Sequence, residues 1–291
     1  MLKRIGLFLL TNILVVLMVS LILNILLPML GIRLQGAWGI AVFSGVFGMT
    51  GAFISLSISR WMAKRAYGIQ LIDGTAQDYR AREIYDMVAG LSKKAGLPAV
   101  PEVGVYNSPE PNAFATGPSK KKSLVAFSTG LLSSMDKNEV EAVAAHEVSH
   151  IANGDMVTMT LLTGVANAMV MFLARIIAQA LNSFLSDDED GGLGYFGYIM
   201  TVMALEMVLM LLASIPLAAF SRFREYRADA GSARITSPAA MASALERLKD
   251  AVKAPQRKDS FAMAKISSSR RVSLFSTHPS LEDRIARLRK M

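Results

Sequence analysis

The sequence predicts an α+β integral membrane protein, with four hydrophobic helices and a mainly helical polar domain that includes a small β-sheet. Three observations carry this prediction. Of the 291 residues, 52 % are hydrophobic and the mean hydropathy is positive, which is too apolar for an ordinary soluble domain. Four apolar runs, at about residues 5–30, 37–58, 157–184 and 194–220, each reach the ~20 residues that cross a bilayer. The remaining segments, 66–156 and 221–291, mix amphipathic helical periodicity with short apolar runs bounded by Pro, Gly and Asn. The chain therefore divides into an N-terminal transmembrane hairpin (1–65), a first polar part (66–156), a second hydrophobic helix pair (157–220) and a second polar part (221–291).

The first run follows Lys3 and Arg4, like a signal peptide, but it is too long for one and no small-x-small cleavage site ends it, so it reads as an uncleaved anchor. The second run ends at Arg60, Lys64 and Arg65. Basic residues at the outer ends of this hairpin place the N-terminus and the following chain in the cytoplasm. Residues 79–95 form an amphipathic helix with Ile84, Met87, Val88 and Leu91 on one face, closed by Gly96. Strands are expected at 102–106, 113–116 and 124–128. Residues 136–153 form a helix, opened by a capping-box pair, Asp136 and Glu139, and stopped by Gly154.

The third and fourth runs are joined by the acidic link Asp187-Asp188-Glu189-Asp190, and Arg222, Arg224 and Arg227 follow the second of them, again placing the polar segments in the cytoplasm. Each of these runs carries one ionisable residue, Arg175 and Glu206, read as a helix-pair contact or a side chain reaching the interface. Ser237-Pro238 starts a helix that extends to about residue 253. Residues 254–275, rich in Ser and basic residues, read as a loop, and Ser280 with Asp283 caps a last helix at 281–290.

Charge and cysteine content narrow the function. The formal net charge is +8, yet the basic residues cluster beside apolar runs rather than in an aromatic-interleaved patch, which argues for membrane orientation and against a nucleic-acid partner. Cysteine is absent, so metal ligands are restricted to His, Asp and Glu.

Within the 136–153 helix, His146-Glu147-Val148-Ser149-His150 reads H-E-x-x-H. Residues four apart share a helical face, so both imidazoles can hold one metal ion, while Glu147 lies about 100° round the helix, placed to take a proton from a metal-bound water. A catalytic zinc usually has three protein ligands and one water. The third is either His278 or an acidic residue on another helix, and Glu225 with Asp229 offers two carboxylates on one face. One of these can ligate while the other accepts a hydrogen bond from a ligand imidazole. Glu225 lies five residues, about 8 Å, beyond Phe220, so the metal is expected close to the cytoplasmic membrane face.

His146 to His150 with Asn153-Gly154-Asp155, Arg224-Glu225-Tyr226-Arg227-Ala228-Asp229, and Thr277-His278-Pro279 with Arg284 together resemble the HtpX family of bacterial membrane zinc endopeptidases and their relatives, the CAAX prenyl endopeptidases. The resemblance covers essentially the whole chain. It implies a gluzincin-type zinc protease domain with one Zn2+ per subunit, held by His146, His150 and Glu225, with Glu147 as general base. Asp229 and Asp155 would orient the ligands from behind, and His278 with Arg284 would stabilise the oxyanion. Asn112-Ala113-Phe114-Ala115 is similar to the family's edge strand, which pairs with substrate; an ordinary edge strand is the other reading.

The resemblance further implies a multi-pass protein of the bacterial inner membrane, with active site and both termini cytoplasmic. Its expected substrates are damaged or misfolded membrane proteins and other unfolded polypeptides. A competing reading is a non-catalytic scaffold or metal-handling transporter that uses the histidines structurally and Arg175 with Glu206 for transport.

Overall fold

A computed structural model describes residues 29, 36–186, 192–253 and 274–291. The predicted first apolar run (5–30, apart from Met29), the acidic link 187–190 and nearly all of the predicted loop at 254–275 lie outside the described residues. The chain forms two compact units, one drawn from residues up to Ser55 and from Met159–Leu217, the other from Leu56–Thr158 and Ala218–Met291.

The first unit contains the apolar lengths of three helices: α1 (Gly36–Tyr67), α5 (Asp155–Leu185) and α6 (Gly194–Ile235). Among the described residues these are the helices long and apolar enough to cross a membrane. A Cβ on Gly48 would fall 2.5 Å from the backbone nitrogen of Ala168, so α1 and α5 meet backbone to backbone, as small residues allow where water drives no association. Arg175 Nη1 donates to Glu206 Oε1 at 2.7 Å and to the Met171 carbonyl at 2.9 Å, with its guanidinium 5.2 Å from the Phe43 ring centroid. Arg175 and Glu206 thus partner each other and join α5 to α6.

The second unit is built on a four-stranded sheet in the order β1-β2-β4-β3: β1 (Gln70–Ile72), β2 (Glu102–Tyr106), β3 (Ala113–Ser119) and β4 (Lys122–Ser128). β2 and β4 run parallel, while β1 and β3 pair antiparallel at the two edges. β4 is buried from Ser123 through Ser128, whereas the edge strand β1, only three residues long and largely exposed, carries no alternation from which to predict it. β3 continues past Gly117-Pro118 because an irregularity between Thr116 and Ser119 absorbs the proline, as edge strands permit.

Three helices pack on this sheet, α2 (Tyr79–Lys94), α3 (Thr129–Ser134) and α4 (Lys137–Asn153), while α7 (Pro238–Lys253) packs on α4 and α8 (Leu281–Leu288) on α7. Their shared core includes Val88, Leu91, Val125, Phe127, Val148, Ile151, Leu245 and Leu288. Local chemistry sets their starts: Asp78, Ser128, Asp136 and Ser280 each accept a backbone N–H of the first turn, and Asp136 with Glu139 completes a reciprocal capping box. α6 runs unbroken through residue 220, where the apolar composition ends. The Arg, Glu and Ala that follow are good helix formers, and helix continuity depends on backbone hydrogen bonding rather than on hydropathy.

Candidate metal centre

α4 places His146 and His150 one turn apart with their rings nearly perpendicular, at 88°, and their Nε2 atoms 3.1 Å from each other. Glu225, from α6, brings Oε2 to 3.7 Å from His146 Nε2 and Oε1 to 3.5 Å from His150 Nε2. All three residues are buried. Donors held about 2.0–2.1 Å from a tetrahedral zinc lie about 3.4 Å from one another, so these separations fit one such ion. Among the described residues, this is the group of His and carboxylate ligand atoms that lie within 4.8 Å of one another.

Carboxylates stand behind both imidazoles. The chain leaves α4 through Gly154 in the left-handed conformation (φ 71°), which glycine adopts at no steric cost. The turn brings Asp155 Oδ2 to 2.7 Å from His150 Nδ1, leaving Nε2 as the ligand atom. Asp229 Oδ1 lies 3.0 Å from His146 Nδ1, though out of line for a full hydrogen bond. Burial alone would lower the pKa of both imidazoles, but the carboxylates outweigh it: His146 is raised by Asp229 and Glu225, and His150, beside Asp155 and Glu225, is pushed up to about 9.

Arg284, buried on α8, grips Asp229 side-on, Nε to Oδ2 at 2.8 Å and Nη2 to Oδ1 at 2.7 Å. Its remaining Nη1 lies 3.5 Å from Glu225 Oε2. Burial opposes its charge, but Asp229 and Glu225 prevail and raise its pKa further. Two of its three guanidinium nitrogens are thus committed to a carboxylate behind the ligands. His278 is exposed, with Nδ1 3.3 Å from Glu225 Oε2. Its segment is fastened by Arg222 Nη1, which donates to the Ser276 and Leu274 carbonyls at 2.6 and 3.2 Å.

Glu147 is half-buried on the same turn as the histidines, near enough for its charge to favour protonation of His150 and of Arg284. Asn112 exchanges hydrogen bonds with Ser128, N to Oγ and O to N, both at 2.9 Å. Ala113, Phe114 and Ala115 then pair with Phe127, Ala126 and Val125 at the edge of the sheet. The Phe114 ring packs on Tyr67 and Tyr106, with centroids 5.2 and 5.8 Å away, and β3 lies against α4.

Two positions that bring the ligand helices together were not singled out from the sequence. A Cβ on Gly231 would fall 2.5 Å from Ser149 Oγ, and Ser232 Oγ donates to the Ala142 carbonyl at 2.7 Å. α6 therefore approaches the histidine helix closely only because Ala228, Gly231 and Ser232 are small. Their i, i+3, i+4 spacing is the signal that could have found them.

A buried pair of histidines on one helix, a glutamate from a second, and a carboxylate beside the pair, in a chain with membrane-crossing helices, together define a membrane metalloprotease. The chain belongs to peptidase family M48, whose model matches residues 78–291. It is 48 % identical over 289 residues to Protease HtpX of Shewanella oneidensis, covering 98 % of this chain and 99 % of that one. It is 49 % identical over 291 residues to Protease HtpX of Aeromonas hydrophila subsp. hydrophila, with 99 % of each chain covered. A crystal structure of S. mikatae Ste24p shares the fold, with a TM-score of 0.61 at 19 % identity, over 99 % of this chain and 67 % of that one.

Proposed function

We propose that this metalloprotease is a zinc endopeptidase of the bacterial inner membrane whose active site faces the cytoplasm and which cuts misfolded or damaged membrane proteins. The observation that carries the zinc assignment, one ion per subunit, is the convergence of His146, His150 and Glu225: the two Nε2 atoms lie 3.1 Å apart, with Glu225 Oε1 3.5 Å from one and Oε2 3.7 Å from the other. When bound, the zinc polarises the scissile carbonyl and makes its water acidic.

The chain's own groups do the rest. Glu147 takes the water proton and delivers it to the leaving amine. His278, exposed and 3.3 Å from Glu225 Oε2, donates to the carbonyl oxygen as negative charge grows on it. Asp155 and Asp229 hold the imidazoles in the tautomer that ligates through Nε2, and Arg284 braces Asp229 and Glu225. Asn112 to Ala115, on the edge strand beside α4, offers backbone groups for pairing an extended substrate. Such pairing selects unfolded chain and so supports the quality-control reading. The orientation is supported by Arg60, Lys64 and Arg65 after one apolar helix and Arg222, Arg224 and Arg227 after another.

Reconstitution in proteoliposomes with a membrane protein in a folded and a destabilised form tests the substrate class. The destabilised form is expected to be cut preferentially, and a zinc chelator to stop cleavage. Equal cleavage of both forms would overturn the quality-control assignment.

A further inference from the structure

The tip of the β3–β4 hairpin and the basic end of α1 take no part in this chemistry, yet together they line an open cleft of about 500 Å3, formed by Ser57, Arg60, Trp61, Pro118, Ser119 and Lys122, within the range of small-ligand pockets. Two cations line it and no carboxylate does. Glu102 is shared between Arg60 at 3.2 Å and Lys64 at 2.7 Å. Lys121 and Lys122 are exposed at the tip beside it. The tip is held in place, because Lys120 Nζ donates to the Ala152 carbonyl at 2.5 Å, at the C-terminal end of α4. Trp61 is 54 % exposed and lies where α1 passes from apolar to basic sequence, the position at which tryptophan anchors a helix in the headgroup layer.

We propose that this cleft is a binding site for an anionic phospholipid. The headgroup phosphate pairs with Lys122, Lys121 and Arg60, and the Trp61 indole lies against the glycerol and upper acyl region. Three features favour this occupant over an acidic peptide or a nucleic acid. The apolar helix leads directly into the site, a single interfacial aromatic stands where a base-stacking surface would need several, and the lining sets Arg60 and Lys122 beside that aromatic with no carboxylate among them.

The chain has two tryptophans, so Trp38→Phe leaves Trp61 as the sole tryptophan in the full-length enzyme. In phosphatidylcholine nanodiscs, brominated phosphatidylglycerol is expected to quench Trp61 at far lower fractions than brominated phosphatidylcholine. Lys121→Gln with Lys122→Gln should weaken that preference about 25-fold, at about fivefold per basic residue, while casein hydrolysis in phosphatidylcholine discs stays unchanged. Arg at both positions should restore the preference. Equal quenching by the two lipids, or an unshifted phosphatidylglycerol dependence in the Gln variant, would overturn the site. If inorganic phosphate alone produced the same change in Trp61 emission in phosphatidylcholine discs, the occupant would be a free anion and the lipid assignment would fail.

Discussion

At the scale of single residues, carboxylates stand directly behind both imidazoles. Asp155 accepts the His150 Nδ1 proton at 2.7 Å, and orienting partners of this kind typically contribute 10–100-fold to metal affinity. Asp155→Asn should therefore weaken zinc binding by about that factor in a chelator competition, with little change in fold, and an unaltered affinity would remove Asp155 from the site. The raised pKa of His150, about 9 in the metal-free site, has a direct consequence. Zinc ligation needs the neutral imidazole, whereas the metal-free protein at pH 7 carries the imidazolium, so zinc uptake must expel a proton. Apparent zinc affinity should rise with pH through about 9 and flatten above it. Adding zinc to the chelator-treated enzyme in weakly buffered solution with a pH indicator reads the released proton, and zinc uptake with no release at pH 7 would contradict the cage of carboxylates. The H-E-x-x-H pair was legible from spacing alone, because four residues is a local, one-turn relation. The Arg284–Asp229 grip was not, because no local pattern says where a guanidinium on one helix will find a carboxylate on another.

At the scale of elements the close crossing of α6 over α4 matters most. Glycine in a helix ordinarily costs about 1 kcal/mol relative to alanine, so a larger residue at Gly231 would stabilise the fold if space allowed. Space does not allow it, since the new Cβ would sit 2.5 Å from Ser149 Oγ and 2.8 Å from its Cβ. Gly231→Val should instead destabilise the fold by about 1–3 kcal/mol and loosen zinc by parting Glu225 from the histidines. Thermal unfolding together with zinc retention checks this, and a rise in Tm would sink the claim. Helix starts were readable because a cap such as Asp136 with Glu139 acts within one turn. β1 was not, because three largely exposed residues owe their pairing to β2 rather than to their own pattern. β3 reads shorter than it is, because Gly117-Pro118 imitates a terminator that an edge strand tolerates.

At the scale of the whole molecule, hydropathy showed α1, α5 and α6 clearly, since a bilayer demands long apolar helices whatever they pack against. The third ligand was harder, because it reaches the histidines only after two such helices have intervened, and residue spacing left Glu225 and His278 both open. Folding separates them: Glu225 is buried between the imidazoles, while His278 is exposed. The proposed chemistry needs a zinc held by His146, His150 and Glu225 with Glu147 as the group that moves the proton. The most direct test takes purified, detergent-solubilised wild type and Glu147→Gln and measures zinc content and casein cleavage on the same samples. The expected result is about one zinc per chain in both and cleavage lower by about 10²–10⁴-fold in the variant. A Glu147→Gln protein that keeps its zinc and cuts casein as fast as the wild type would contradict it.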